Sequence, residues 1–304
     1  MATEITSSCE ARVQFTSSTT RSRLIVLQRR ASLQTLLTSL WILTAFCSPP
    51  ALAQSEAAAK LASRISIELR KEFGTSEQFD AAITTTYGVQ LTPEKAEVAR
   101  RALRALLSNE ALPAYLANLL LPLARLDLTK RQFGAAMLHG IVQLQIQGFS
   151  RLPTERQAAF VAHFVAMARS ISPSDCKAMF LGQMDTEAST VLERQYIASL
   201  PLGKFESITL LYKEAAEAEL AGYPDARFIN SQQAQIAEKV YEAASVKRLL
   251  AQVPKDAIRR VDQDAASAVP SEACAVFTAT VEAMLDMTEP YRSWQLSRFT
   301  QSMR

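Results

Sequence analysis

Eight glycines in 304 residues leave this chain few ways to turn sharply. Ordinary chains carry about 7% glycine, and tight hairpins depend on it because their central residues need positive φ. No Asn-Gly or Asp-Gly dipeptide occurs. Sandwiches, barrels and glycine-rich phosphate-binding folds are therefore excluded. The 48% hydrophobic and 21% charged content excludes a wholly disordered or collagen-like chain as well. What remains is rich in alanine, leucine and glutamine and shows no convincing alternation of period two. The expected fold class is all-α, a bundle of about nine or more helices.

Residues 29–53 read as an export signal. Arg29 and Arg30 precede an apolar stretch from Leu33 to Phe46, followed by Pro49 and Pro50 and the small-residue ending Ala51-Leu52-Ala53. A basic start, a short apolar middle and small residues before the cut are the layout of a secretory signal peptide. The apolar stretch is too short and too rich in Thr and Ser to span a bilayer comfortably. Signal peptidase needs small side chains at its −1 and −3 pockets, so Ala53 and Ala51 place the cut before Gln54. Phe46 before Cys47 is wrong for a lipidation signal, and Ser32 weakens any twin-arginine reading. The Ser/Thr-rich residues 1–28 fit either an upstream start or a two-part organellar presequence. The expected location is the bacterial periplasm, with an organellar lumen as the alternative.

The chain holds 33 Lys+Arg against 30 Asp+Glu; five arginines and two glutamates precede residue 54, leaving 28 of each sign beyond it. A balanced body gives no electrostatic reason to bind nucleic acid or anionic lipid. Two cysteines, Cys9 and Cys47, would leave with the presequence. Cys176 and Cys274 remain, and each sits in the first turn of a helix opened by Pro, Ser and an acid. An oxidising compartment favours their union in a disulfide. Phe180 and Phe277 follow each cysteine by about one turn, as inward anchors.

Caps and breakers divide residues 54–304 into helices at 55–73, 75–87, 92–108, 111–126, 129–147, 154–170, 173–182, 186–199, 203–221, 226–252 and 271–288. A short piece follows Pro290. We read this as a single domain, with any sub-boundary near 172–173. Residues 255–268, including Asp262 and Asp264, read as a polar linker. From Gln132 to Ser150 and from Gln157 to Ala168 the chain lacks Asp, Glu, Lys and Arg. Helices apolar nearly all round are buried from both sides, so these two are expected to form a central hairpin wrapped by the others. Gln143, Gln145 and Gln147 argue against a membrane span there. Gly203-Lys204-Phe205-Glu206, with Tyr212 and Ala215, resembles the second half of a tetratricopeptide repeat. No copy stands about 34 residues to either side, and the family is not assigned.

The only histidines, His139 and His163, lie about twelve residues either side of the 149–152 turn. In an antiparallel hairpin they would sit at similar heights. No Glu-x-x-His or third ligand accompanies them, so hydrogen-bonded structural histidines are the better reading, with a metal site the alternative. No nucleophile elbow and no Cys-x-x-Cys motif occurs. Tyr291, Trp294 and Phe299 are expected to dock the last helix. The expectation for function is therefore a non-enzymatic exported protein that binds another envelope protein, with no cofactor. The alternative is an envelope hydrolase or metal-dependent enzyme using His139 and His163.

Overall fold

The computed structural model describes residues 51–72, 75–123 and 130–303. Among them are thirteen α-helices, two short 3-10 segments and no strand. Residues 1–50, which hold Cys9, Cys47 and most of the export signal expected at 29–53, lie outside the described residues. Ala51, Ala53 and Gln54 fall in the first turn of the first helix. The helices are α1 Ala51–Glu72, α2 Ser76–Tyr87, α3 Pro93–Leu107, α4 Leu112–Leu120, α5 Lys130–Phe149, α6 Thr154–Ser170 and α7 Pro173–Phe180. They continue as α8 Thr186–Ser199, α9 Leu202–Ala221, α10 Ser231–Gln252, α11 Lys255–Gln263, α12 Pro270–Glu282 and α13 Tyr291–Ser302. No described helix is long and apolar enough to cross a membrane.

Local chemistry sets the boundaries. Thr75 and Gln78 cap α2 reciprocally, satisfying two amides that a helix start leaves without partners. Gly88 ends the same helix at φ +65°, where a side chain would be strained. Pro93, Pro173 and Pro270 occupy first turns, where a missing amide hydrogen costs nothing. After Leu120 the chain tightens into a 3-10 turn, Leu121–Leu123, as Pro122 cannot donate into an α-helix.

The uncharged pair α5 and α6 is partly buried, though not as the expected hairpin. Helix α5 packs chiefly along α9, with α4 on another side, while α6 packs against α12 and α13. Gly148 explains the first contact. A Cβ there would stand 1.8 Å from the Ala215 carbonyl oxygen, so only glycine admits the α9 backbone so closely. Gly140 faces Leu116 and Leu119 of α4, whose methyls would lie 2.7 and 3.0 Å from an added Cβ. Helix α6 joins two cores: Phe160 packs with Phe149, Phe205 and Leu211, whereas Val161 and Val165 pack with Tyr241, Met284 and Leu296. Low charge in the sequence overstated the burial: α6 keeps Ala159, Ala162 and Ala166 exposed along one face, and α5 exposes Gln132 and His139. Nor could low charge report that distant helices supply the cover.

The sequence also hid α11. Residues 255–263 are helical, with Ala257 and Val261 buried one turn apart beneath a charged surface. Helix α11 packs on α12. Asp262 therefore belongs to a helix, while Asp264 follows it and accepts a bond from the Ala266 amide at 3.0 Å. Gln157 closes the turn between α5 and α6. Its buried amide donates to the carbonyls of Phe149 at 3.2 Å and Leu152 at 3.1 Å, adding to the bond from the Leu152 amide to the Phe149 carbonyl.

Candidate functional site

Cys176 and Cys274 sit at disulfide distance, with Cα atoms 5.6 Å apart and 98 positions between them in sequence. They join the first turns of α7 and α12. Phe180 stacks on Phe277 one turn further along, with ring centroids 4.9 Å apart. The bond and the aromatic pair thus act on the same two helices. Helix α7 has only eight residues, too short to hold its own conformation without such contacts. An open cleft of ≈ 300 Å³ lies beside Cys274, lined by Arg169, Ile171, Pro173, Gln252 and Thr278 among others. Its one charged side chain, Arg169, is held by Glu282.

The two histidines have different surroundings. His139 is on the exposed side of α5. His163 is partly buried against Tyr196 of α8 and Tyr212 of α9, with ring centroids 5.4 and 6.3 Å away. Its Nε2 is buried with no hydrogen-bond partner, and burial lowers its pKa to about 4. The hydrogen-bonded histidine expected from sequence is thus replaced by an aromatic-packed one. Because α5 and α6 do not lie along each other, equal distance from their turn does not bring the rings together. Among the described residues no group of three or more His, Cys, Asp and Glu is placed to hold a metal.

His163 belongs instead to a titratable cluster that the sequence did not mark. The Tyr212 hydroxyl donates to Glu193 Oε1. Burial raises the Glu193 carboxyl pKa, while this hydrogen bond and Arg194 pull it back in part. Burial also raises Tyr212, and the neighbouring Glu193 pushes it further in the same direction. Tyr87 of α2 completes the group, raised by burial and partly offset by its polar neighbours Thr209 and Arg194. Phe149 and Phe160 pack against Tyr212 at 5.3 and 6.4 Å. Nothing in Leu192-Glu193-Arg194-Gln195-Tyr196 distinguishes Glu193 from a solvated helical acid, since its burial comes from α2 and α9.

The segment between α9 and α10 is the clearest feature for recognition. Tyr223 is 76% exposed and Phe228 is 80% exposed, yet the backbone carrying them is held at several points. Gly222 stops α9 at φ +64°, and the Tyr223 amide donates to the Ala218 carbonyl at 3.2 Å. Arg151 pairs with Glu219 at 2.6 Å and donates to the carbonyls of Gly222 and Pro224 at 3.0 and 3.2 Å. Arg227 donates to Thr154 Oγ1 at 2.8 Å, and its own carbonyl accepts from Gln301. Ala226 is buried, and Asn230 caps α10 with Gln233. The aromatics of Tyr-Pro-Asp-Ala-Arg-Phe were visible in the sequence, but only the pinning shows a fixed display. No protein-family model matches the chain, and neither a curated protein nor a solved structure matches it.

Proposed function

We propose that this is an exported, non-enzymatic binding protein of the bacterial envelope, whose partner is another envelope protein. The observation that carries the reading is the pinned 222–230 segment with Tyr223 and Phe228 turned to solvent. Large aromatics gain most when a partner covers them, about 1.5–3 kcal/mol for a phenylalanine. A backbone already fixed by Arg151, Arg227 and Gln301 spares the ordering cost that a flexible loop would incur on binding. Interface hot spots favour such aromatic anchors. The signal-like 29–53 segment and the Cys176–Cys274 pair support an oxidising location.

The test compares the purified protein with a Tyr223→Ala/Phe228→Ala variant as bait for envelope extract. The wild type should retain one species in stoichiometric amount, and the variant should lose it at an unchanged thermal midpoint. Equal retention by both, or no retained species, overturns the reading.

A further inference from the structure

The two sulfurs of the Cys176–Cys274 pair differ in access. Cys176 is fully buried, whereas Cys274 is partly exposed and forms part of the wall of the ≈ 300 Å³ cleft. The same wall carries Ser271 and Ala275 of α12, both exposed, while Cys176 does not reach it. Electrostatics separate the sulfurs far less. Each cysteine follows an acid near the start of its helix, Asp175 or Glu272, and each acid is engaged, Asp175 by Ser172 and Glu272 by Arg260. Exchange with an external thiol depends on which sulfur can be attacked, and here the cleft offers one. Opening the bond also leaves α7 with other holds. Lys177 donates to the carbonyls of Ala266 and Ala268 at 2.6 and 2.7 Å, and Phe180 packs against Phe277 and Phe164, with ring centroids 4.9 and 5.9 Å away. The reaction can therefore run in the folded protein.

We infer that Cys274 is a site of thiol–disulfide exchange in the native protein, reached through the cleft by an external dithiol. The incoming thiolate attacks Cys274 Sγ, the Cys176–Cys274 bond breaks, and Cys176 leaves with the electron pair as a thiolate that takes up a proton. The second thiol of the reagent, as its thiolate, then attacks the reagent's own sulfur in the mixed disulfide and releases Cys274, which is protonated in turn. Two electrons and two protons thus pass to the cysteine pair, and the dithiol becomes a disulfide. The reverse path forms the bond: a disulfide oxidant joins Cys274 first, and Cys176 then displaces it. This assignment does not depend on the binding function proposed from Tyr223 and Phe228.

The test uses the full chain in a Cys9→Ser/Cys47→Ser background. Cys176→Ser and Cys274→Ser then each leave a single thiol, and both variants are treated with glutathione disulfide, natively and in denaturing urea. Mass spectrometry follows the addition of one glutathionyl group. The Cys274 thiol should react roughly tenfold faster or more in the native protein, and the two rates should converge in urea, where burial no longer separates them. The intact pair is tested with dithiothreitol under native conditions. Ala275→Trp and Ser271→Trp each add an indole at an exposed position of the cleft wall, and should slow reduction by roughly tenfold at an unchanged thermal midpoint. Equal native rates for the two single thiols, faster modification of Cys176, or reduction that neither tryptophan slows overturns the inference. Where a single-cysteine variant lacks the native circular dichroism spectrum, the tryptophan comparison decides alone.

Discussion

Replacing Gly148 with alanine should damage this protein although alanine is the better helix former. In an unhindered helix interior the exchange stabilises by about 1 kcal/mol. At Gly148 the new Cβ would stand 1.8 Å from the Ala215 carbonyl oxygen and 2.4 Å from its carbon. Backbone atoms cannot swing aside as a side-chain end can, so α5 and α9 must separate by roughly 1 Å or more, and overpacking of that kind typically costs about 1–3 kcal/mol, occasionally more. The neighbours forced to follow include fully buried Phe149, Phe205 and Ala216. A clash with backbone puts the cost at the upper end of that range, about 3 kcal/mol, so the net loss after the propensity gain is about 2 kcal/mol, or a thermal midpoint lower by roughly 4–8 °C. Gly134 provides the control within the same helix, since an added Cβ there meets nothing within 4 Å. Gly134→Ala should therefore stabilise by about 0.5–1 kcal/mol. Urea denaturation followed by far-ultraviolet circular dichroism measures both. A neutral or stabilising Gly148→Ala would refute the close approach of α5 to α9.

Three further outcomes follow from the same geometry. Reducing Cys176–Cys274, or replacing both with alanine, should cost about 4–5 kcal/mol by chain entropy for a 98-position loop, less any native strain. Denaturation with and without reductant reads it, and unchanged midpoints would count against the clasp. His163 has a folded pKa of about 4 against 6.5 in the unfolded chain, so stability should fall as pH drops from about 6.5 towards 4, where the unfolded state takes up the proton first. The full shift corresponds to about 3 kcal/mol before discounting partial exposure. Glu193, with its pKa raised, acts oppositely and favours the fold at lower pH, so His163→Gln should remove the acid-side loss and leave stability rising as pH falls through the Glu193 titration. An imidazole titrating near 6.5 in the native protein would contradict this. Gln157→Ala should cost about 1–3 kcal/mol by removing the side-chain donor to the Leu152 carbonyl and one of two donors to the Phe149 carbonyl in the α5–α6 turn, and a wild-type midpoint would refute that role.

What the sequence disclosed was local. Thr75, Thr92 with Pro93, and Gly88 act on neighbours within a turn, and the helices begin and end where those residues direct. The cysteine contexts were equally informative, because an even pair at two similar helix starts leaves one natural bridge, with Phe180 and Phe277 alongside it. Partnership between distant helices was not disclosed. Gly148 looked like part of a turn, although its absent side chain is what admits α9. Helix α11 was concealed because only Ala257 and Val261 face inward among charged neighbours, too few for a visible apolar period. The candidate sites divide in the same manner. His139 and His163 drew attention as the only histidines. Glu193 and Tyr212 gained their unusual environment from helices far away in sequence. Phe228 fell inside the helix expected at 226–252, whereas the helix starts at Ser231 and Arg151, Thr154 and Gln301 fix the segment before it with the ring outside.

The central claim is that the chain is exported, trimmed and clasped, and intact-mass measurement of the protein recovered from its native compartment without reductant tests it most directly. The account predicts a chain beginning at Gln54 whose mass is lower by two hydrogens than that of the reduced sequence from Gln54 to Arg304. A mass that retains residues 29–53, or a trimmed chain with both thiols free, would contradict it.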